Sequence, residues 1–171
     1  MIVEEIPPWL TSVLQEVNGI GTENETGTRV FPSSNPANHI LLNEYKAGQG
    51  IMPHLDGDLF FPTISTLSLG SHTVLNFYHQ MADGETANWQ DRKEFSLLVE
   101  PRSLLILKDD LYHKFLHGIE EVEEDCTIEK NLVICEPEKL DMNKDRKARG
   151  TRYSLTMRNV PKTAKLKIKL W

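Results

Sequence analysis

"RYSLTMR", residues 152–158, is the stretch from which the rest of the chain can be read. Tyr153, Leu155 and Met157 occupy one set of alternate positions, and Arg152, Ser154, Thr156 and Arg158 occupy the other. A period of two belongs to a β-strand, whose successive side chains point to opposite faces. The polar stripe has two readings. It is the wet face of an edge strand, or it lines a pocket. In a pocket, two guanidiniums suit a dicarboxylate, because arginine binds carboxylates bidentately and keeps its charge.

Working outward, the same character recurs at 39–46, 62–70, 72–79, 94–100, 103–108 and 112–118, with a short piece around Met52. These runs are rich in β-branched, aromatic and aliphatic residues and bounded by Gly, Pro, Asp or Asn. One helix precedes them over 7–17, where Pro8 suits the first turn and Leu10, Val13, Leu14 and Val17 recur at helical spacing. A helix followed by many short strands predicts a mainly β domain, a sandwich, barrel or jelly roll. Residues 80–93 read as a long hairpin loop. Residues 120–150 read as a charged insertion, mobile at least in part, in which "NLVICE" can form a local strand.

With 171 residues, 39% apolar and 26% charged, the chain suits one folded domain rather than a disordered one. No apolar run approaches the roughly 20 residues that span a bilayer. The N-terminus lacks the basic and apolar regions of a signal peptide. Cys126 and Cys135 form no CxxC pair, so reduced thiols in an intracellular protein are expected. Net charge is −6, against nonspecific nucleic-acid binding by the chain as a whole. The charge is uneven, however. From Lys144 onward ten Lys/Arg face one acid, Asp145. That basic end is either a solvated tail or a patch for phosphates.

The chemistry centres on "MPHLDGD", residues 52–58. On an extended segment His54 and Asp56 point to one side and can converge on an ion. A third ligand must come from a distant strand, and His117 in "LHGI" is the candidate, because Gly118 permits close backbone approach. Two histidines and a carboxylate on one side of a metal compose the triad of non-haem Fe(II) oxygenases, which leaves positions open for co-substrate and O2. His113 and His117, four apart, have a spacing that serves zinc on a helix but gains nothing on a strand. His39, His72, His79 and His113 are therefore read as structural. In "NEY" (43–45), Asn43 and Tyr45 share a face with Leu41 and offer an amide and a phenol to an oxygen-rich ligand.

Taken together, "NEYKAGQGIMPHLDGD", "TISTLSLGS", "LHGI" and "RYSLTMR" resemble, in order, the segments of the AlkB-like Fe(II)/2-oxoglutarate-dependent dioxygenases. The likeness runs over about 38–160, and its finer match is to the AlkB homolog 6 subfamily. The resemblance implies a double-stranded β-helix, or jelly roll, with a short N-terminal helix and the metal at the open end. Residues 1–37 would be the remnant of a longer N-terminal region that helps form a nucleotide-recognition lid. Residues 38–160 would be the dioxygenase core with the 120–150 insertion, and 161–171 a basic tail. It implies Fe(II) on His54, Asp56 and His117. Asn43, Tyr45 and Arg152 would bind 2-oxoglutarate, with Arg152 on its distal carboxylate. Arg158 would lie by the proximal carboxylate and the substrate. Ser154 stands where many members have Asn. The implied activity is oxidative demethylation of DNA or RNA with O2, in cytoplasm and nucleus. The alternatives are a non-catalytic jelly roll that binds nucleic acid or protein, and a protein hydroxylase or demethylase on the same scaffold.

Overall fold

The computed structural model describes residues 5–21, 29–81, 88–127, 131–134 and 146–161. Helix α1 runs Pro8–Gly19, with Pro8 in its first turn and Leu10, Leu14 and Val17 buried. Ile20, in extended conformation, ends it and returns its N–H to Val17 O. The strands are β1 (His39–Tyr45), β2 (Ile51–His54), β3 (Thr63–Gly70), β4 (Thr73–His79), β5 (Lys93–Val99), β6 (Ser103–Lys108), β7 (Phe115–Ile119), β8 (Glu124–Cys126), β9 (Leu132–Val133), β10 (Arg146–Ala148) and β11 (Arg152–Arg158).

They form two main sheets, one ordered β1-β11-β3-β6 and the other β2-β7-β4-β5-β9, with β8 and β10 paired separately. All pairs are antiparallel except β5–β9. The chain passes from sheet to sheet after β1, β2, β3, β5 and β6, which is the winding of a double-stranded β-helix. Ile64 and Leu107 of the first sheet meet Leu75, Phe77, Val99 and Ile119 of the second in one core. A second core lies outside the first sheet, where Leu14 and Val17 of α1 pack with Met157, Ile40, Leu67, Leu104 and Ile106. Burial of this kind, about 1.5–3 kcal/mol per fully buried large side chain, is what fixes α1 on the sheet.

One expectation is corrected and two open readings are narrowed. β11 is not an edge strand, because it lies between β1 and β3. The run 112–118 is not one strand. Asp109 (φ 53°) turns the chain, a helical turn α2 spans Asp110–His113, and Lys114 closes on Asp110 at 3.0 Å. The strand starts only at Phe115. The 120–150 insertion has a built base, since β8 pairs with β10 and β9 lies parallel to β5. Arg149 donates to both Asp125 oxygens, at 2.8 and 2.6 Å, and buried His72 lies 3.2 Å from the same carboxylate. The tip of the 80–93 loop, the rest of the insertion, Cys135 and the basic tail lie outside the described residues.

Candidate active site

The two sheets form the walls of an open cleft. From β11, Arg152, Ser154, Thr156 and Arg158 face into it, and from β1, Leu41, Asn43 and Tyr45 do so. The polar stripe of "RYSLTMR" is therefore a cleft lining. Ile64, Leu75, Val99, Leu105, Leu107 and Ile119 supply apolar walls.

His54, the last residue of β2, pairs in register with His117 of β7. Their ring centroids are 4.6 Å apart. The pairing depends on Gly118: a Cβ there would lie 2.9 Å from both Ile51 O and Pro53 N. His54 Nδ1 lies 2.8 Å from Met52 O. With the proton on Nδ1 for that bond, the lone pair of Nε2 is left for a ligand. Asp56 lies beyond β2, in the loop that turns at Gly57 (φ +92°). Strand alternation therefore does not bring it beside the histidines, as the i, i+2 spacing suggested. The turn does, and Asp56 Oδ2 lies 3.6 Å from His117 Nε2.

The His117 imidazole is pushed down to about 4, chiefly by burial, with Asp56 opposing and His54 and Arg158 adding to the fall. It is neutral at ordinary pH, the form that coordinates metals. Arg158 Nη2 donates to Asp56 Oδ1, and its guanidinium lies 4.6 Å over the Phe60 ring. Among the described residues no three His, Cys, Asp or Glu stand grouped to hold an ion as they are. His54, Asp56 and His117 are neighbours, with Asp56 engaged by Arg158.

At the other end of the cleft Arg152 is 6% exposed. Its Nη2 donates to Ser68 Oγ at 2.8 Å, its guanidinium lies 5.6 Å over Tyr45, and its Nε has no partner among the described residues. No carboxylate pairs with it among the described residues. Burial pushes its pKa down, yet a guanidinium stays charged. Tyr45 is raised by burial, against the pull of Arg152 and a hydrogen bond with Asn43. Asn43 stands opposite Ser154 in register, and Tyr45 opposite Arg152.

Comparison with known proteins gives this arrangement a lineage. A family model described as "2OG-Fe(II) oxygenase superfamily" matches residues 1–158. The chain belongs to the 2OG-Fe(II) oxygenase superfamily. It is 40% identical over 165 residues to the zebrafish (Danio rerio) "Probable RNA/DNA demethylase ALKBH6", covering 95% of this chain and 66% of that protein. It is 28% identical over 130 residues to "tRNA (carboxymethyluridine(34)-5-O)-methyltransferase ALKBH8" of Macaca fascicularis, covering 72% and 18%. A solved structure, "The structure of OsALKBH1", aligns with TM-score 0.49 and 16% identity over 90% of this chain and 64% of that one. The chain thus spans less than two thirds of the lengths of these relatives.

The superfamily is named for Fe(II) and 2-oxoglutarate, and O2 is its other co-substrate. The donor set fits that metal: two imidazoles, one of them held neutral, and a carboxylate. The Arg152 guanidinium, without an acid partner among the described residues, fits a carboxylate of the co-substrate. The remaining histidines have other neighbours. His39 stacks on Phe60, His72 lies by Asp125, His79 bonds Glu94 and the His113 carbonyl accepts from Gln80.

Three contributors escaped the sequence reading. Ser68 holds Arg152, Thr66 Oγ1 meets Thr156 Oγ1 at 3.3 Å, and Tyr112 holds the loop behind Asp56. The first two had a signal. In "TISTLSLG", Ile64, Thr66 and Ser68 share one face, and register places them beside the polar stripe. Tyr112 had none, because it lies in an unforeseen helical turn.

Proposed function

We propose that this chain is an AlkB-type Fe(II)- and 2-oxoglutarate-dependent dioxygenase that removes alkyl groups oxidatively from nucleic acid. The observation that carries the reading is Arg152, a buried guanidinium without a described carboxylate partner, in the same cleft as His54, Asp56 and His117. A buried charge without a counter-charge is costly, so the site asks for an anion.

In this reading His54, Asp56 and His117 hold the iron. Arg152 takes the distal carboxylate of 2-oxoglutarate, Tyr45 and Asn43 hydrogen-bond the same molecule, and Ser154 lies beside them. Ser68 holds the Arg152 fork in place before the anion arrives, which reduces the ordering cost of binding. Arg158 holds the second oxygen of Asp56 and presents positive charge to the proximal carboxylate and the substrate. The apolar walls keep water from the co-substrate's methylene chain. Bound Fe(II) would supply the activation of O2 against a C–H bond, with 2-oxoglutarate leaving as succinate and CO2.

Nucleic acid is the substrate class favoured by the names of the zebrafish and macaque relatives. Cytoplasm and nucleus are the compartments this substrate implies. The test has two stages. Anaerobic Fe(II) and 2-oxoglutarate should give the weak visible charge-transfer band of the chelate, and a folded protein without that band overturns the assignment. Methylated DNA and RNA oligonucleotides, with methylated peptides alongside, should then be followed by mass spectrometry. Loss of methyl groups in step with succinate from oligonucleotides is expected. Turnover of peptides alone would move the protein to a different substrate class.

A further inference from the structure

Between His54 and Phe61 the chain leaves the sheets, so nothing in strand pairing fixes Asp56. Tyr112 does touch this loop. Its hydroxyl donates to Gly57 O at 2.7 Å and lies 3.4 Å from Phe60 O. Gly57 directly follows Asp56, and its φ of +92° makes the turn that brings Asp56 back toward His117. The ring of Tyr112 is itself fixed. It is 7% exposed and belongs to the core cluster of Ile64, Leu75, Phe77 and Ile119. Its backbone is fixed too, by Tyr112 N to Asp109 O in α2, the turn that leads into β7 and His117. One side chain therefore ties the loop bearing Asp56 to the segment that delivers His117.

We infer that Tyr112 is a positioning residue: through the Gly57 carbonyl it sets where the Asp56 carboxylate stands relative to His117, and so tunes the affinity of the site for a divalent metal. The inference rests on the metal reading of His54, Asp56 and His117. It needs no contact between Tyr112 and the metal. Partners of ligands commonly affect metal affinity about 10–100-fold when removed.

The experiment compares the full chain with Tyr112→Phe, which keeps the ring and removes only the hydroxyl. Mn(II) binding is measured by titration, and the absorption spectrum of the Co(II)-loaded protein reports ligand geometry without turnover. The variant should bind Mn(II) about tenfold more weakly and show an altered Co(II) spectrum. Its Kd for 2-oxoglutarate at saturating metal should stay within twofold, because Arg152 is untouched. Leu14→Ala, in the core between α1 and the outside of the first sheet, is the control for general destabilisation. It should lower the Tm and leave Mn(II) affinity unchanged. Equal Mn(II) affinity and identical Co(II) spectra for wild type and Tyr112→Phe overturn the positioning role and leave the metal site standing. So does an equal loss of affinity in Leu14→Ala. Failure of the folded wild type to bind Mn(II) or Co(II) overturns the metal reading and this inference with it.

Discussion

His54 and His117 are cross-strand partners in the β2–β7 pair, with ring centroids 4.6 Å apart, although they lie 63 positions apart in the chain. Burial beside that neighbour pushes His117 down to about 4, below the ordinary 6.5. The unfolded chain therefore binds a proton between these values that the folded chain does not. The resulting stability is fully present above pH 6.5 and is lost as pH falls toward 4. Denaturant titrations of the metal-free protein across this window should show stability falling with acidity. His117→Asn should flatten the slope and abolish Fe(II) binding. An unchanged slope in the variant would place the acid sensitivity elsewhere.

Arg152→Ala should weaken 2-oxoglutarate by about 2–5 kcal/mol, the usual loss when one partner of a buried charge-assisted contact is removed. Mn(II) affinity should barely move, because Arg152 touches Ser68 and Tyr45 rather than any of His54, Asp56 and His117. Ser68→Ala should follow the same pattern at about 0.5–1.5 kcal/mol, the weight of one ordinary hydrogen bond. Calorimetric titration of the metal-loaded protein reads both. Equal co-substrate affinity in Arg152→Ala would remove Arg152 from the site.

How far the sequence led can be judged from particular residues. The alternation in "RYSLTMR" carried both the strand and the direction of its side chains, because a period of two is a local property. It could not place β11 in the middle of a sheet, since neighbours are chosen by pairings up to 119 positions distant, as between His39 and Arg158. The His54 and Asp56 pair was legible as chemistry and misread as geometry. The strand stops at His54, and the glycine turn does the rest. Residues 112–114 look strand-like by composition. The left-handed Asp109 and the Asp110–Lys114 pair turn them into a helical turn instead. Tyr112 was invisible for the same reason, since its partner is a backbone carbonyl 55 positions away.

Gly118 makes the β2–β7 approach possible, and Gly118→Ala tests it. The added Cβ would meet backbone atoms of Ile51 and Pro53 at 2.9 Å, closer than a side chain can stand. Backbone cannot swing aside as a flexible side chain would, so β2 must shift and carry His54 away from His117. The expected cost is roughly 1–3 kcal/mol of stability, with metal affinity falling more than that of a variant equally destabilised elsewhere. Thermal melts paired with Mn(II) titration measure both. A stable variant with native metal affinity would mean that His54 and His117 do not depend on this contact.

Asp125 tests whether the base of the charged insertion is part of the folded body. Its carboxylate is 4% exposed and sits between both arms of Arg149 and the buried ring of His72. Burial alone would raise its pKa. The hydrogen bonds from Arg149, with the charge of Arg149 and the neighbouring His72, outweigh that and hold it below the usual carboxylate value. The stability it contributes is present above the unfolded value near 3.8 and is lost as pH falls through the lower, folded one. Asp125→Ala strands a buried guanidinium, so a loss of about 3–5 kcal/mol is expected. Asp125→Asn keeps the shape and one acceptor and should lose less. The effect should reach the cleft as well. Arg149 is three residues from Arg152, and Gly150 N donates to Ser71 Oγ beside His72, so the clamp borders the start of β11. Both variants should therefore weaken 2-oxoglutarate more than Mn(II), as measured by titrating each ligand on protein kept below its lowered Tm. Loss of metal affinity with co-substrate affinity intact would show that the clamp supports β7 and not β11.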